Sequence, residues 1–167
     1  KRVDVVSAQE MHDAAHRVNE EVRKATTYST LQFRVFIAVA AVADYRPMNP
    51  ATKKIKRQDN ADASTSLPLV ENIDIVKSIA TLNDKQRPDF VLCFAAETND
   101  VKENAKKKLS KKNVDAVVMN DVSDKSIGFN SKINECTMLA SESGQIIEKK
   151  FGRVSKEKIG QGIIEYI

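Results

Sequence analysis

Three apolar runs that each stop in a polar cluster constrain this chain more than any other feature. They read FIAVAAVADYRP (36–47), FVLCFAAETND (90–100) and DAVVMNDVS (115–123). Each is dense in β-branched and small apolar residues, as strands buried on both faces are, and each closes in Asp, Glu, Thr or Asn. Segments with helical periodicity separate them, which calls for a parallel sheet with crossover helices. In an open sheet of that kind, ligands bind in the crevice beyond the carboxyl ends of the strands. Three polar strand ends, together with a group of lysines, point to a site for a small anionic ligand.

The rest of the chain fits around that core. Val3 to Val6 form a short apolar run that reads as the end of a strand, and Ser7 and Glu10 have capping-box spacing. A helix to about residue 25 follows, with Met11, Ala15, Val18, Val22 and Ala25 as its apolar stripe. Residues 26–32 read as a loop and 36–41 as the first strand. Residues 44–69 carry Pro47, Pro50 and Pro68 and read as a long loop, a length that usually signals function. A short helix is expected over 74–82, a strand over 90–95, a helix over 100–111 and a strand over 116–119. Residues 136–140 and 145–151 flank Ser-Glu-Ser-Gly and predict an antiparallel hairpin at one edge of a mixed sheet. Ser155 can cap a last helix ending near Ile167.

Composition narrows the class. A length of 167 residues suits one domain with a real core. No apolar run approaches the ~20 residues that span a bilayer, and no signal peptide opens the chain, which points to the cytoplasm. The net charge of +4 suits an anionic ligand. Aromatics at 5%, with no interleaved aromatic–basic platform, argue against a single-stranded nucleic-acid binder. Cys93 and Cys136 have no metal-ligand spacing, and Cys93 reads as a buried thiol. All five glycines lie at or after Gly128, so the glycine-rich phosphate turn that normally follows the first strand of a Rossmann-like domain is missing. Phosphate is then held by side chains, or the first β–α unit precedes Lys1.

Four groups of residues are candidates for chemistry. His12 and His16 have the i,i+4 spacing of a zinc-protease helix, but Asp13 stands where the base would be and no third ligand is evident, so solvated helix residues are the favoured reading. Most of the lysines over 102–112 read as a solvated face. Lys108 and Lys112 differ, because they continue a stripe begun by Val101 and Ala105, as though the core-facing side of the helix opened onto a polar cavity. Lys53, Lys54, Lys56 and Arg57 bracket Ile55 in the long loop, either as mixed loop charge or as a basic flap over phosphate. Asp44, just past a strand of small residues, is either a cap or a carboxylate that holds Mg²⁺ beside phosphates.

AAVADYRP (40–47), KIKR (54–57), FAAETND (94–100), KKNVDAVVMNDVS (111–123) and GFNS (128–131) occur here in one order. In these segments the chain resembles bacterial phosphopantothenate–cysteine ligase, the ligase half of a bifunctional coenzyme A biosynthesis flavoprotein. The resemblance implies a three-layer, modified Rossmann-like α/β fold and a homodimer, with a flavin-dependent decarboxylase fused upstream in the parent protein. It implies activation of 4′-phosphopantothenate by CTP with Mg²⁺, giving an acyl-cytidylate that the amine of cysteine then attacks. By matched position, Asp44 lies near the nucleotide phosphates and metal, Ala40 and Ala41 beside the nucleotide, and Lys54 over the reactive acyl phosphate. Ile73, Asp74, Ile75 and Val76 match a segment on the nucleotide, as do Phe94, Lys108 and Lys112. Cys93 stands where the family usually has Gly, and Ile73 where Pro is common. The resemblance also implies an upstream glycine-rich segment and an intermediate-binding asparagine that residues 1–167 lack. A nucleotide-binding module without catalysis is the alternative.

Overall fold

The computed structural model describes residues 1–26, 33–54, 66–97, 101–121 and 131–167. The capping box forms as expected. Glu10 N–H donates to Ser7 Oγ at 3.1 Å, Ser7 N–H donates to Glu10 Oε2 at 3.3 Å, and helix α1 runs from Ala8 to Thr26. No strand precedes it, and Val6 is fully exposed. Four residues of apolar sequence with no partner strand beside them have no ladder to join. The expected loop at 26–32 falls outside the described residues from 27 onward.

The three apolar runs form β1 (Val35–Ala38), β4 (Phe90–Glu97) and β5 (Ala116–Asp121), and all three are parallel. Ala38 pairs with Cys93, and Cys93 with Val117, so the carboxyl ends lie side by side. Between β1 and β4 sit β2 (Tyr45–Pro47), β3 (Leu69–Glu71) and helix α2 (Ile75–Ala80); helix α3 (Val101–Lys112) joins β4 to β5. Strands β6 (Ile133–Glu142) and β7 (Gln145–Ser155) then add antiparallel, giving the sheet order β1-β4-β5-β6-β7. The hairpin turns on Ser143 and Gly144, with φ of 47° and 80°. Two consecutive positive-φ residues make the turn whose twist matches the flanking strands.

Helices cover both faces of the sheet. One face buries Ala105 and Leu109 of α3 and Ala80 of α2 against Val91, Cys93, Val117 and Leu139. The other buries Ile159 and Ile163 of α4 (Lys156–Ile164) against Leu92, Val118, Met138 and Phe151. This is the three-layer α/β architecture expected from the sequence, with its antiparallel hairpin at the C-terminal edge. Ser155 caps α4 by accepting from Lys158 N–H, and the helix stops at Ile164, three residues before the chain does.

The segment expected as one long loop differs. Its two ends pair as an antiparallel ribbon, Tyr45 with Glu71 and Pro47 with Leu69. Met48 N–H also donates to the Pro68 carbonyl at 2.9 Å. Proline is tolerated because a two-stranded ribbon is all edge, so its missing N–H breaks no interior ladder. Residues 55–65 of this segment, Ile55, Lys56 and Arg57 among them, lie outside the described residues.

The amino ends of the parallel strands are tied by charge. Arg87 donates to the carbonyls of Ala80, Pro88 and Asn113 and to Asp115 Oδ2 at 2.8 Å, and that oxygen also accepts Val91 N–H. Arg34 is held likewise by Asp89 and by the carbonyl of Arg87. These groups satisfy backbone atoms that strand and helix ends would otherwise leave unpaired.

Candidate functional site

The opposite rim is open. Beyond the carboxyl ends of β1 and β4 lies a cavity of about 300 Å³, at the small end of the range for small-molecule sites. Ala40 and Ala41 wall it where the chain leaves β1; with no bulk beyond Cβ they let a ligand approach the backbone. Asp44 follows on the same wall, and its carbonyl accepts Asn72 N–H at 2.7 Å, which fixes the strand exit against the ribbon. Ile73, Asp74, Ile75 and Val76 form a second wall at the start of α2, and Phe94 stands on the floor from β4. Lys108 and Lys112 enter from α3.

Ten of the eleven residues matched to the family by position thus meet around one cavity, from four separate stretches of chain. Lys54 does not line it; this lysine is exposed in the segment that follows β2. The helix phase read from the sequence holds. Ala105 and Leu109 are buried, Lys108 and Lys112 half-buried on the same side, and Lys107 exposed.

Asp74 organises the wall it stands on. Its Oδ1 accepts Lys77 N–H at 3.0 Å, capping α2, and its carboxylate holds Lys112 Nζ at 3.0 Å. The pair spans 38 residues of sequence and fixes the ammonium of α3 over the cavity. Burial pushes the Cys93 thiol up, while the Lys112 and Lys108 charges act the other way, so this floor residue stays a neutral thiol.

The donor set suits a hard cation only in part. Among the described residues no three His, Cys, Asp or Glu side chains converge, so nothing forms an all-protein cage. Asp44 and Asp74 both line the cavity, and one or two carboxylates are what Mg²⁺ ordinarily takes when ligand phosphates complete its shell. His12 and His16 are occupied elsewhere: His12 Nδ1 lies 2.8 Å from Asp13 Oδ1, and His16 Nε2 hydrogen-bonds with Ser78 Oγ at 2.9 Å, tying α1 to α2.

One feature of the same rim was not singled out from the sequence. Asn120, at the end of β5 and outside the cavity lining, carries a buried Oδ1 with no hydrogen-bond partner among the described residues. An asparagine inside a polar strand end gives no signal by itself; the orphaned acceptor emerges only once β6 and β4 flank it.

A mixed sheet covered on both faces, with a small-residue wall, two carboxylates and two lysines around a cavity at its carboxyl edge, has the Rossmann-like architecture. The chain belongs to the family of the DNA/pantothenate metabolism flavoprotein C-terminal domain, whose pattern matches residues 1–167. It is 40% identical over 166 residues to the coenzyme A biosynthesis bifunctional protein CoaBC of Vibrio vulnificus strain CMCP6. It is 39% identical over 167 residues to that of Escherichia coli strain K12. These alignments take in 99% and 100% of this chain but 37% of each relative, so the chain spans just over a third of their length. Its fold matches the crystal structure of a CoaBC C-terminal domain with a TM-score of 0.64 at 29% identity, covering 98% of this chain and 64% of that one. No helix among the described residues is long and apolar enough to cross a membrane.

Proposed function

We propose that this chain is a phosphopantothenate–cysteine ligase domain acting in coenzyme A biosynthesis, with CTP as the activating nucleotide. The observation that carries the reading is the convergence of Ala40, Ala41, Asp44, Ile73, Asp74, Ile75, Val76, Phe94, Lys108 and Lys112 on one cavity at the sheet's carboxyl edge. These positions were matched to the ligase family from sequence, and their relatives by overall identity are coenzyme A biosynthesis proteins.

The chemistry follows from the side chains. A carboxylate oxygen of 4′-phosphopantothenate attacks the α-phosphorus of CTP; that O–P bond forms, the bond to the β-phosphate oxygen breaks, and diphosphate leaves with the electron pair. The amine of cysteine, once deprotonated, adds to the acyl carbon, and CMP departs. Neither step needs a covalent protein nucleophile. Lys108 and Lys112 place positive charge at the cavity before the reaction begins, which is where such charge lowers a barrier most effectively. Asp44 would hold Mg²⁺, which supplies Lewis-acid neutralisation of phosphate charge when bound. Lys54 acts on the acyl phosphate from the segment between β2 and β3, and so has to move toward the cavity as the substrates fill it. The working form is a homodimer in the cytoplasm, with a decarboxylase half fused in the parent protein.

The test is formation of phosphopantothenoylcysteine, followed by mass spectrometry, by the full-length protein with CTP, Mg²⁺, 4′-phosphopantothenate and cysteine. Release of diphosphate dependent on phosphopantothenate supports the ligase. CTP binding without diphosphate release refutes it and leaves a nucleotide-binding module, a reading favoured by the position of Lys54 outside the cavity wall.

A further inference from the structure

A second groove, of about 490 Å³, opens between α2 and α3 and shares Asp74, Lys108 and Lys112 with the cavity. Its outer part is lined by Lys77 from α2 and by Lys107 and Lys111 from α3. Five ammonium groups thus face one carboxylate, and that carboxylate is already engaged by Lys112 and by the α2 backbone. Among the described residues, Lys77, Lys107 and Lys111 have no ion-pair partner.

A solvated helix face does not account for this arrangement. Lys107 and Lys111, and Lys108 and Lys112, are two i,i+4 like-charge pairs in adjacent rows, which cost an isolated helix about 0.2–0.5 kcal/mol each. The pairing that such a face normally uses does occur on α3, between Lys106 and Glu103 at 2.9 Å, on another flank. The groove lining is Asp, Asn and Lys throughout, with no aromatic or apolar wall to receive a base or a ring. Its chemistry therefore selects a compact inorganic polyanion over a nucleotide. Its continuity with the cavity says where that polyanion comes from.

We propose that the groove between α2 and α3 is a binding site for inorganic diphosphate, which passes to Lys77, Lys107 and Lys111 from the Lys108–Lys112 end of the cavity. The inference rests on the nucleotide-site reading above for the source of the diphosphate. The groove makes and breaks no covalent bond; it takes the leaving group after the α-phosphorus bond has broken and so clears the cavity for the amine.

Calorimetric titration of the full-length protein with inorganic diphosphate, and separately with CTP, tests it. The triple variant Lys77→Gln, Lys107→Gln, Lys111→Gln should lose about tenfold or more in diphosphate affinity and show a shallower salt dependence. Its CTP affinity should stay within about twofold of the parent, which also shows that it is folded. A control, Lys85→Gln, Lys132→Gln, Lys158→Gln, removes the same charge elsewhere and should leave diphosphate affinity unchanged. The proposal is overturned if the parent does not bind diphosphate, if the groove variant binds it as well as the parent does, if the control loses as much, or if CTP affinity falls in parallel. Failure of the ligase reading is separable: lysine-dependent diphosphate binding without ligated product refutes that reading alone, and product formation with undiminished diphosphate affinity in the variant refutes the groove alone.

Discussion

The two rims of the parallel strands use the same kinds of residue for opposite ends. At the amino rim, Arg34, Arg87, Asp89 and Asp115 donate to and accept from one another and from backbone atoms, and little is left over. At the carboxyl rim, Asp44 and Lys108 line a cavity, Lys112 reaches it while paired with Asp74, and Asn120 Oδ1 is buried with no hydrogen-bond partner among the described residues. A charge that finds its partner in the fold stabilises the fold. A charge that lines a cavity is open to a ligand as well, so the rim that carries the cavity is the better candidate for function.

The largest expected effect would break the comparison if it failed. Lys54→Gln should slow ligation by ~10²–10³ while leaving CTP affinity near that of the parent, the cost of losing one charge partner in the transition state. Single-turnover kinetics on the full-length protein decides it; near-parental turnover removes Lys54 from the reaction.

The amino rim should respond in stability alone. Arg87→Ala strips the partner from a half-buried carboxylate and from three carbonyls, and should cost about 2–4 kcal/mol in denaturant unfolding. CTP affinity, measured where the variant is folded, should not change. A loss of affinity would mean that the two rims are coupled through the strands.

The carboxyl rim should show the reverse. Lys108→Ala should weaken CTP binding about tenfold or more with little change in Tm, whereas Lys107→Ala should leave CTP binding as it is. Calorimetry on both variants reads the helix phase directly, since Lys108 is half-buried toward the cavity and Lys107 is exposed. Equal effects would place the two lysines at one site.

The smallest effect is in pH. Burial raises the Asp89 carboxyl, but the Arg34 backbone N–H and guanidinium outweigh it and hold the group below its ordinary 3.8. A depressed acid contributes stability that is fully present above 3.8 and is lost as pH falls through the lower folded value. Asp89→Asn should therefore flatten the acid limb of the Tm–pH curve, with a Tm change under about 2 °C at pH 7. An unchanged acid limb would mean that Asp89 contributes nothing to the rim.

The elements that were legible in the sequence are those governed by local chemistry. Ser7 and Glu10 marked a helix start, Ser155 another, and Ser143-Gly144 a hairpin, because caps and tight turns are set within four residues. The apolar runs marked strands, and β4 and β5 are buried as expected. Strand β1, however, is an edge strand that leaves Val35 and Ile37 exposed, because no strand covers its outer side in the described sheet. The helical stripe separated Lys108 and Lys112 from Lys107 before any fold was assumed. The ribbon of β2 and β3 was not legible. Its strands are three residues each, too short for a period-2 signal, and they pair across more than twenty residues. Val3 to Val6 had the composition of a strand and form none, because a strand is made by its neighbour rather than by its own sequence.

The sequence by itself determined the class of fold, the family and the residue types at the candidate site, since periodicity, capping and motif are properties of neighbours along the chain. Only the tertiary structure decided that Asp74 would hold Lys112 across the cavity, that Asn120 Oδ1 would be buried with no partner among the described residues and that Lys77 would join Lys107 and Lys111 in one groove. Those relations depend on how α2, α3 and the strand ends come together in space. Electrostatic energy falls with distance between atoms, not with separation along the chain.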